Sequence, residues 1–569
     1  MTVAGAAAEA LDRLPVVGPV LASWPKTTLT ALIALAIFVA LYAYLYVYRS
    51  LTLPFANVPG PEPSSFFWGS LMEIIKAPPS AMHEQWYAEY GSTFKYRAIG
   101  GDWRLCSTDP GFLSWMLGHD ELFPKPPHSQ KFLWKLLGPG LVTVEGDHHA
   151  RQRRVVSPAF STKALKDQVP IFFDKAAELR DKLLLFVEGK GDERPALPPS
   201  PGDEEKGGRK IDVMKYLGQM AVDIIGQAGF GYDLASLSGH PKPLAEAFRV
   251  MMGAGLNPGP IQVLKTFIPF LSFIPTRADK ILEESNVIAH REAAAIIAER
   301  TREVRAAGDV DEGAFGKDLL SMLLKSNMSS DLRPDQKMTD EDVFAQVTTF
   351  MLAGNETSAT ALTWILWRLA QHQDMQQRLR DECREVNEGD YSAVNSLPYL
   401  EAVVRESLRL DSPVPATLRV TKEDVTVPLS KPIRGKDGTQ MDSVRLKKGT
   451  TVMVPIHVVN WAKDNWGADS KTFNPDRWLK EQSPWKYQNP GVFANLMTFN
   501  HGPHNCIGYR FSIAEIKVTL FTLIRALSFE LLPSRPKFEM KTGIVMRPMV
   551  VGQEKEGPQM PLLVRALEA

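Results

Sequence analysis

A ten-residue segment near the C-terminus restricts the fold of this chain more than any other feature. Phe499–Gly508 reads FNHGPHNCIG and is followed directly by a helical pattern from Tyr509 to Leu527. Gly502 allows the backbone to turn sharply, and Gly508 allows the helix to approach a flat ligand without an intervening Cβ. The N-terminus of that helix favours negative charge on the sulfur of Cys506. The segment therefore predicts a tight loop that presents one thiolate.

Such a loop suits haem iron, which takes a cysteine ligand in a dry loop whose N–H groups point at the sulfur. Phe499 would shield the sulfur of Cys506 from water. The other two cysteines, Cys106 and Cys383, lie far apart in the sequence, so the chain has no disulfide framework and fits a reducing compartment. The alternative is a buried, inert cysteine, which is the commonest state of a free cysteine.

The composition is that of a globular protein with a large core. Of 569 residues 44% are hydrophobic, and 65 basic residues balance 65 acidic ones, which excludes a disordered chain and a polytopic membrane protein. A balanced charge also gives no electrostatic support for nucleic-acid binding. Helical patterns such as Asn286–Arg305 and Leu362–Val386 dominate, and β-branched runs occur mainly in Asp424–Thr451. We therefore expect a mainly α protein with a minor β-sheet.

An uncharged apolar run, Thr27–Tyr48, follows an N-terminal segment of residues 1–26. As a helix its 22 residues would be about 33 Å long, enough to cross a bilayer core. Tyrosines cluster at its C-terminal end, as they do at membrane interfaces. A cleaved signal peptide is the alternative, but the run is too long for one and no small-x-small cleavage site follows. The run predicts a single-pass anchor, with the rest of the chain on the cytosolic side.

Two further segments divide the remaining chain. Residues 49–70 form a connector in which prolines alternate at Pro59, Pro61 and Pro63, so we expect a stiff, extended segment that leads into a catalytic domain at residues 71–569. The charged stretch Gly189–Lys210 is rich in glycine and proline, which predicts an exposed insertion loop.

A long helical pattern from about Thr339 to Ala370 begins with threonine and aspartate three residues apart, as in a capping box. Its middle, Ala353–Ser358, reads AGNETS. Gly354 costs about 1 kcal/mol relative to alanine within a helix, which suggests that space is needed there. Thr357 can donate to the carbonyl four residues earlier and loosen the helix. Taken alone, Glu356 and Thr357 are more typical of a solvated acid beside a buried threonine than of a catalytic pair.

Together these motifs resemble the cytochrome P450 family of haem-thiolate monooxygenases, in the family's order and over nearly all of the chain after the apolar run. The resemblance implies the cytochrome P450 fold preceded by one transmembrane helix, haem b as cofactor, and Cys506 as the axial ligand of its iron. The family usually has arginine two residues before the cysteine, whereas this chain has His504, which we expect to donate to a haem propionate. Glu356 and Thr357 match the acid–threonine pair that relays protons to bound oxygen.

The resemblance assigns further charged residues. Glu406 and Arg409, which share one helix face, and Arg477 match a buried triad that locks the proximal side of the fold, although such a pair is usually a surface feature. His149 stands where the family often has tryptophan, and Arg153 follows four residues later. Both are expected to bind a haem propionate. Arg419 matches a second propionate ligand, since a guanidinium suits a carboxylate.

The implied reaction inserts one atom of O2 into a lipophilic substrate and releases the other as water. Electrons would come from a separate NADPH–cytochrome reductase, because no flavin or nicotinamide motif follows Gly508. The anchor and connector resemble those of microsomal members, which implies a single-pass protein of the endoplasmic reticulum membrane with a cytosolic catalytic domain. The insertion and the SSFFWGS segment resemble those of family members from mushroom-forming fungi. Such family members often oxidise terpenoids, steroids or polycyclic aromatics, in secondary metabolism or in xenobiotic oxidation.

By family position, the pocket is expected to be lined by four largely apolar ranges, as suits a bulky hydrophobic substrate: Ser129–Leu137, Phe350–Thr357, Val414–Leu418 and Gly543–Val545. Two other functions remain open. One is a haem-thiolate isomerase or dehydratase that rearranges a peroxide without O2, and such enzymes can lack the pair formed here by Glu356 and Thr357. The other is a non-catalytic haem- or sterol-binding membrane protein.

Overall fold

The computed structural model describes residues 26–190, 208–256, 265, 273–307, 317–330, 332–479 and 489–567. These residues form a predominantly helical body with small sheets, so the predicted fold class is confirmed. The α-helices, in chain order, are α1 Lys26–Tyr42, α2 Leu71–Lys76, α3 Ala81–Tyr90, α4 Pro110–Gly118, α5 Pro127–Leu137, α6 Gly146–Val156, α7 Thr162–Val187, α8 Val213–Phe230, α9 Pro243–Leu256, α10 Arg277–Ala307, α11 Leu319–Met328, α12 Asp340–Gln371, α13 Gln373–Arg384, α14 Tyr391–Ser396, α15 Pro398–Leu410, α16 Ile456–Trp461, α17 Lys463–Trp466 and α18 Tyr509–Ala526.

The strands lie in four small sheets within the described part of the chain. The largest has the order β1-β2-β7-β4, in which β2 and β7 are parallel and the other neighbours antiparallel. A second sheet has the order β3-β11-β8, and β5-β6 and β9-β10 are hairpins. The strands are β1 Thr93–Arg97, β2 Trp103–Ser107, β3 Gly208–Asp212, β4 Thr417–Val420, β5 Val425–Arg434, β6 Gln440–Leu446, β7 Thr451–Val454, β8 Leu527–Glu530, β9 Phe538–Thr542, β10 Met546–Val550 and β11 Pro561–Ala566.

The long helix α12 runs through the core and packs against α8 and α18. Its start has the predicted capping box: Thr339 Oγ1 accepts from the Asp342 N–H at 3.1 Å, and the Asp342 carboxylate accepts from the Thr339 N–H at 3.0 Å. Trp364 is 1% exposed and donates from its indole to the carbonyl of Met546 at 3.2 Å, which ties α12 to β10. The middle of α12 and the start of α18 line the same cavity.

One predicted helix is two helices. The pattern Leu362–Val386 is broken at His372, where α12 ends and α13 begins. His372 has φ −125° and ψ 78°, which is not helical. The side chain of Gln376 then donates to the carbonyl of Leu369 at 3.1 Å and so satisfies one of the acceptors left at the end of α12.

The N-terminal apolar helix extends beyond its predicted end. After α1 the chain continues as a π-helix, Ala43–Tyr48, and a last helical turn, Arg49–Leu51. The segment Thr30–Leu51 is long and apolar enough to cross a membrane, and only 6% of its most apolar window is buried within the protein. The first residues of the predicted connector, Arg49–Leu51, are therefore helical, because the helical hydrogen bonds continue past Arg49, the first charged residue after the apolar run.

The rest of the connector is less extended than predicted. It contains turns and a short bridge between Ser65 and Gly69, although Pro59 joins the edge of β1 by accepting from the Lys95 N–H at 2.9 Å. The predicted insertion loop lies mostly at 191–207, outside the described residues, but its last residues are not loop. Gly208–Lys210 belong to β3, which pairs with β11.

Candidate active site

A cavity of about 340 Å³ lies between α6, α12, the start of α18 and the segment before α18. That volume is within the range of small-molecule sites in proteins. Thr357 lines it from α12, and Cys506 lines it from the segment before α18. Half of the other lining residues are apolar: Leu141, Val142, Phe160, Ile225, Phe350, Ala353, Ala361, Leu408, Pro413, Val414, Ile456, Phe499, Ile507 and Phe511.

The loop around Cys506 is closed by its own backbone. The Cys506 N–H donates to the carbonyl of Phe499 at 2.9 Å, and the Asn505 N–H donates to that of Gly502 at 3.0 Å. Gly502 has φ +72°, which supplies the predicted sharp turn. Gly508 caps the N-terminus of α18 with an ordinary φ of −89° and also lines the cavity, next to Cys506.

The thiol of Cys506 has accessible surface, although the residue lies deep within the protein, so that surface faces the cavity. Burial raises the pKa of the Cys506 thiol, while the Gly508 N–H and the charge of Arg153 oppose that shift. Cys106 and Cys383 are buried elsewhere, and burial raises the pKa of both thiols. Of the three cysteines, therefore, Cys506 is the one whose sulfur can meet a ligand in this cavity.

On the opposite side, α12 presents Ala353, Gly354 and Thr357 to the cavity. Thr357 Oγ1 donates to the carbonyl of Ala353 at 2.6 Å, as expected. The helix is nevertheless continuous there, so the expected local loosening does not occur. Gly354 has a packing role that the sequence did not reveal: a Cβ at this position would lie 3.0 Å from Ile225 Cδ1 on α8.

Glu356 does not line the cavity but lies beside it in an ion pair. Its Oε2 is 2.5 Å from Arg547 Nη2 on β10, and both side chains are largely buried. Arg547 was not singled out from the sequence. Arg547 and Glu356 are far apart in the sequence, so no local sequence pattern could predict that they form an ion pair.

Two guanidinium groups reach the cavity without a carboxylate partner. Arg153 donates from Nη1 to the carbonyl of Asn505 at 2.8 Å and from Nη2 to its Oδ1 at 2.7 Å. Arg419 is 4% exposed and donates to Thr417 Oγ1 and to the carbonyl of Leu418, both at 2.8 Å. Across the described chain, neither guanidinium has a carboxylate oxygen within 4.0 Å. A buried, unpaired cation is costly, so this end of the cavity suits anionic groups.

Two histidines lie at the same end. The rings of His149 and His504 stack with centroids 3.8 Å apart, and both residues line the cavity. Burial and the neighbouring His504 lower the pKa of His149 to about 3, so His149 is a neutral donor or acceptor. His504 Nε2 lies 3.0 Å from Glu145 Oε2 and 3.3 Å from Asp120 Oδ2. His504 is thus engaged by two carboxylates that the sequence analysis did not identify.

Lys125 completes this charged end. Its Nζ lies 2.8 Å from Glu145 Oε1, and it also lines the cavity. Burial opposes ionisation of Glu145, but His504 and Lys125 together lower its pKa to about 2. Glu145 is therefore a fixed negative charge that compensates part of the positive charge around the cavity.

These residues fit haem. The cavity offers one soft sulfur donor, which iron accepts, and at another side the unpaired guanidinium groups of Arg153 and Arg419 for two carboxylates. Between them the walls are apolar, as a porphyrin requires. Of the predicted pocket ranges, Phe350–Thr357 and Val414–Leu418 contribute lining residues, whereas 129–137 and 543–545 do not.

A buried ion cluster joins α15 to the segment around Arg477. Arg409 binds the Glu406 carboxylate through two nitrogens, at 2.9 and 2.8 Å, and Arg477 Nε lies 3.4 Å from the same carboxylate. Glu406 and Arg409 are fully buried. The Glu406 carboxylate also accepts from the Asn474 N–H and the Trp478 indole. The predicted buried triad is therefore present, with more donors than the sequence indicated.

The sequence is similar to known proteins over most of its length. The sequence matches the profile of cytochrome P450 over residues 59–551. Cytochrome P450 monooxygenase 205 of Postia placenta is 38% identical over 534 aligned positions, covering 92% of this chain and 95% of that protein. Cytochrome P450 monooxygenase 128 of the same fungus is 37% identical, covering 90% and 93%. Ganoderic acid synthetase of Ganoderma lucidum is 33% identical, covering 95% and 99%.

Proposed function

Since this chain belongs to the cytochrome P450 family of haem-thiolate monooxygenases, we propose that it is a membrane-anchored enzyme that inserts one oxygen atom of O2 into a terpenoid, steroid or polycyclic aromatic substrate. One observation carries the proposal: Cys506 and Thr357 line the same largely apolar cavity, although 149 positions separate them in the sequence. The family uses haem with a cysteine thiolate ligand, O2 and a redox partner.

Cys506 is the residue that would hold the haem iron, with Phe499 and Gly502 shaping its loop. Arg153, Arg419, His149 and His504 would face the haem carboxylates. When bound, haem supplies the site at which O2 is reduced and its O–O bond is broken. The chain's own contribution is the dry pocket, the charged end that fixes the orientation, and the thiolate. Burial opposes ionisation of Cys506, so its sulfur would carry a negative charge only with a cation bound beside it.

Glu356 and Thr357 would deliver protons to the oxygen side. Thr357 has its hydroxyl at the cavity, where it donates to the Ala353 carbonyl at 2.6 Å and can exchange that bond for one to a water or ligand. Glu356, the next residue, lies outside the cavity lining in its pair with Arg547. A proton that arrives at the Glu356 carboxylate would reach the cavity through Thr357. This acid–threonine pair favours O2 reduction over the isomerase alternative.

Electrons would come from a separate NADPH–cytochrome reductase. A groove of about 900 Å³ lies beside the start of α18, on the side of the Cys506 loop. Four of its lining residues are basic, and Glu401 is the one carboxylate among them. Arg405 and Lys517 pair with Glu401 at 2.5 and 2.6 Å, so Lys166 and Arg510 give the groove its net positive charge. A basic surface of this kind would attract an acidic partner surface. This placement supports electron entry from the thiolate side.

The N-terminal helix would anchor the enzyme in the endoplasmic reticulum membrane with a cytosolic catalytic domain. We propose a segment of residues 1–26, an anchor at 27–48, a connector at 49–70 and a catalytic domain at 71–569. The helix is attached to the body by specific contacts. The rings of Tyr46 and Phe66 stack with centroids 4.1 Å apart, and Arg97 lies over Tyr46 at 5.4 Å. These contacts would hold the cavity in one orientation relative to the membrane.

The apolar lining supports a lipophilic substrate of small or moderate size. The relative named ganoderic acid synthetase supports a role in secondary metabolism. Shape alone discriminates weakly between apolar molecules, so the substrate is best found by a screen. Terpenoids, steroids and polycyclic aromatics would be offered to the full-length protein with its reductase in vesicles.

The decisive experiment supplies isotopically labelled O2 and NADPH to the reconstituted enzyme. We expect one labelled oxygen atom in the product and the other in water, with no product when NADPH or the reductase is omitted. Product formed from a hydroperoxide without O2 would instead support an isomerase or dehydratase. Haem binding without turnover of any offered substrate class would support the non-catalytic alternative.

A further inference from the structure

Two histidines and a carboxylate converge at the charged end of the cavity in a way that suits a metal ion. One ring nitrogen of His149, one of His504 and one carboxylate oxygen of Asp120 all lie within 4.8 Å of one another. The three residues come from separate segments, namely α6, the Cys506 loop and the turn after α4. Zinc binds imidazole nitrogen and carboxylate oxygen, with bonds of about 2.0–2.2 Å in a tetrahedral arrangement.

The ring of His504 is buried and directs its Nε2 at two carboxylates. The side chain is 7% exposed, and its Nε2 makes no hydrogen bond to any residue that the structure describes. Glu145 Oε2 and Asp120 Oδ2 lie 3.0 and 3.3 Å from this nitrogen, but without the alignment that a hydrogen bond needs. Tetrahedral zinc places its donor atoms roughly 3.4 Å apart. The nitrogen and the Asp120 oxygen therefore already have the spacing of two ligands to one cation.

The ring of His149 is available as a further ligand. The residue is 3% exposed, and its ring stacks on that of His504 with centroids 3.8 Å apart. Among the described residues, neither ring nitrogen of His149 has a hydrogen-bonding partner, and the residue lines the cavity. A metal ion beside His504 would supply the partner that this imidazole lacks.

The charges around the cluster favour a cation. The Glu145 carboxylate is paired with Lys125 at 2.8 Å, whereas Asp120 has no lysine or arginine within 4.0 Å in the described part of the chain. Arg153 and Arg419, the two guanidinium groups without a carboxylate partner, match the two carboxylates of haem. Asp120 therefore keeps an uncompensated negative charge, and its side chain is only 19% exposed. A divalent cation between it and the histidines would compensate that charge.

We propose that His149, His504 and Asp120 bind a zinc ion, with water beside Glu145 in the fourth position. Three protein ligands and a water are a common zinc arrangement. The ion would tie the Cys506 loop to α6 and to the turn after α4, and so fix the loop that would hold the haem iron. Zinc is not redox-active, so the site goes beyond the proposed monooxygenase reaction and does not depend on it.

The first test measures zinc binding to the full-length, haem-loaded protein. The protein is treated with a chelator and titrated with Zn²⁺, with affinity from calorimetry and zinc per haem from elemental analysis. We expect one zinc ion per chain in the wild type and an affinity lower by roughly tenfold or more in Asp120→Asn. His504→Arg should bind none, because a guanidinium has no lone pair to offer.

His501→Gln is the matched control for this titration, since it removes another histidine of the Cys506 loop that lies outside the cluster. It should bind zinc like the wild type. A wild type that binds no zinc, or equal binding by the wild type, Asp120→Asn and His504→Arg, would overturn the proposal. Should His504→Arg fail to fold, Asp120→Asn decides, because it changes a different segment of the chain.

The second test identifies the ligands. X-ray absorption fine structure at the zinc edge reports the neighbours of zinc separately from those of the haem iron. We expect nitrogen and oxygen at about 2.0–2.2 Å with the scattering of two imidazole rings, falling to one ring in His149→Phe, which keeps an aromatic ring against His504. Sulfur at about 2.3 Å would instead place the zinc on Cys506 of haem-free molecules and would overturn the proposal.

The third test concerns the structural role of the ion. Transfer of haem to an excess of a haem-free globin would be followed with and without removal of zinc by a chelator. We expect faster transfer from the wild type after zinc is removed, and no effect of the chelator on His504→Arg. Equal rates for the wild type with and without zinc would show that the ion does not fix the Cys506 loop, and would overturn that role.

Failure of the zinc site and failure of the proposed function are distinguishable. Incorporation of labelled O2 by a protein that binds no zinc would leave the monooxygenase proposal standing and refute the metal site. Zinc bound by two imidazoles in a protein that incorporates no labelled oxygen would refute the proposed function and support the metal site.

Discussion

Gly502 packs against the C-terminal end of α4 so closely that a Cβ at position 502 would lie 1.9 Å from the carbonyl oxygen of Leu117. Two requirements therefore coincide at this residue. Its φ of +72° disfavours any side chain, and the contact with Leu117 leaves no room for one. The loop that presents Cys506 is thus held against a helix from the N-terminal part of the domain.

Gly502→Ala should consequently disrupt the Cys506 loop and lower haem content. Gly449→Ala is the matched control, since Gly449 has φ +83° but open space where its Cβ would lie. Backbone strain alone costs about 1–2 kcal/mol, so the control should retain haem at 25 °C. Haem content per protein, from the Soret absorbance, is the measurement. Equal haem loss in both variants would show that backbone strain, and not the contact with Leu117, causes the loss of haem.

Cys506→Ala should abolish the red-shifted Soret band of the reduced, CO-bound protein. The reason is that Cys506 is the cysteine whose sulfur faces the cavity, while Cys106 and Cys383 are buried elsewhere. Cys106→Ala and Cys383→Ala serve as controls and should keep the band. If the band survives in Cys506→Ala and disappears in either control, the site assignment is wrong.

Thr357→Ala should uncouple the enzyme without silencing it. Electrons would still arrive, but slower proton delivery should release more hydrogen peroxide and less product per NADPH, and Glu356→Gln should shift the ratio in the same direction. Thr363→Ala is the control: Thr363 makes the same bond to the carbonyl four residues earlier, at 2.7 Å, away from the cavity. Unchanged coupling in Thr357→Ala and Glu356→Gln would reopen the isomerase alternative.

Deletion of Met1–Arg49 should release the protein from membranes with its haem retained, because the helix contributes no residue to the cavity. The deletion also removes Tyr46 from Phe66 and Arg97, so the soluble form should aggregate more readily. Flotation of vesicles and the CO-difference spectrum are the measurements. Tight membrane association that persists after the deletion would reveal a second apolar contact surface on the body.

Glu515 should make stability depend on pH. Its pKa is raised from 4.5 to about 8 in the folded state, so the folded protein binds an extra proton between those values. The free energy of unfolding of the wild type, relative to Glu515→Gln, should therefore be highest below pH 4.5, fall as the pH rises to about 8, and then level off. Thermal midpoints of both proteins across this range test the sign. A wild-type advantage that grows with pH would contradict it.

Much of the fold and site could be read from local sequence. The threonine–aspartate capping box marks the start of α12, and the Phe499–Gly508 segment marks the Cys506 loop. The apolar run Thr27–Tyr48 marks the N-terminal helix. Each depends on residues that are neighbours along the chain, because capping, turn formation and helix periodicity act over a few residues. Resemblance to a family then supplied His149, Arg153 and Arg419.

Tertiary structure alone decided which charges meet. Arg547 reaches Glu356 from a different strand, Glu145 and Asp120 engage His504, and Glu515 becomes buried without a partner. Nothing in the local sequence separates Glu515 from an exposed glutamate of a helix. Burial and pKa depend on the sum of all groups packed around a side chain, and here those groups come from helices and strands far apart in the chain. The sequence determined the helix, the loop and the place of the cysteine within that loop, whereas packing determined the protonation state of the acids around them.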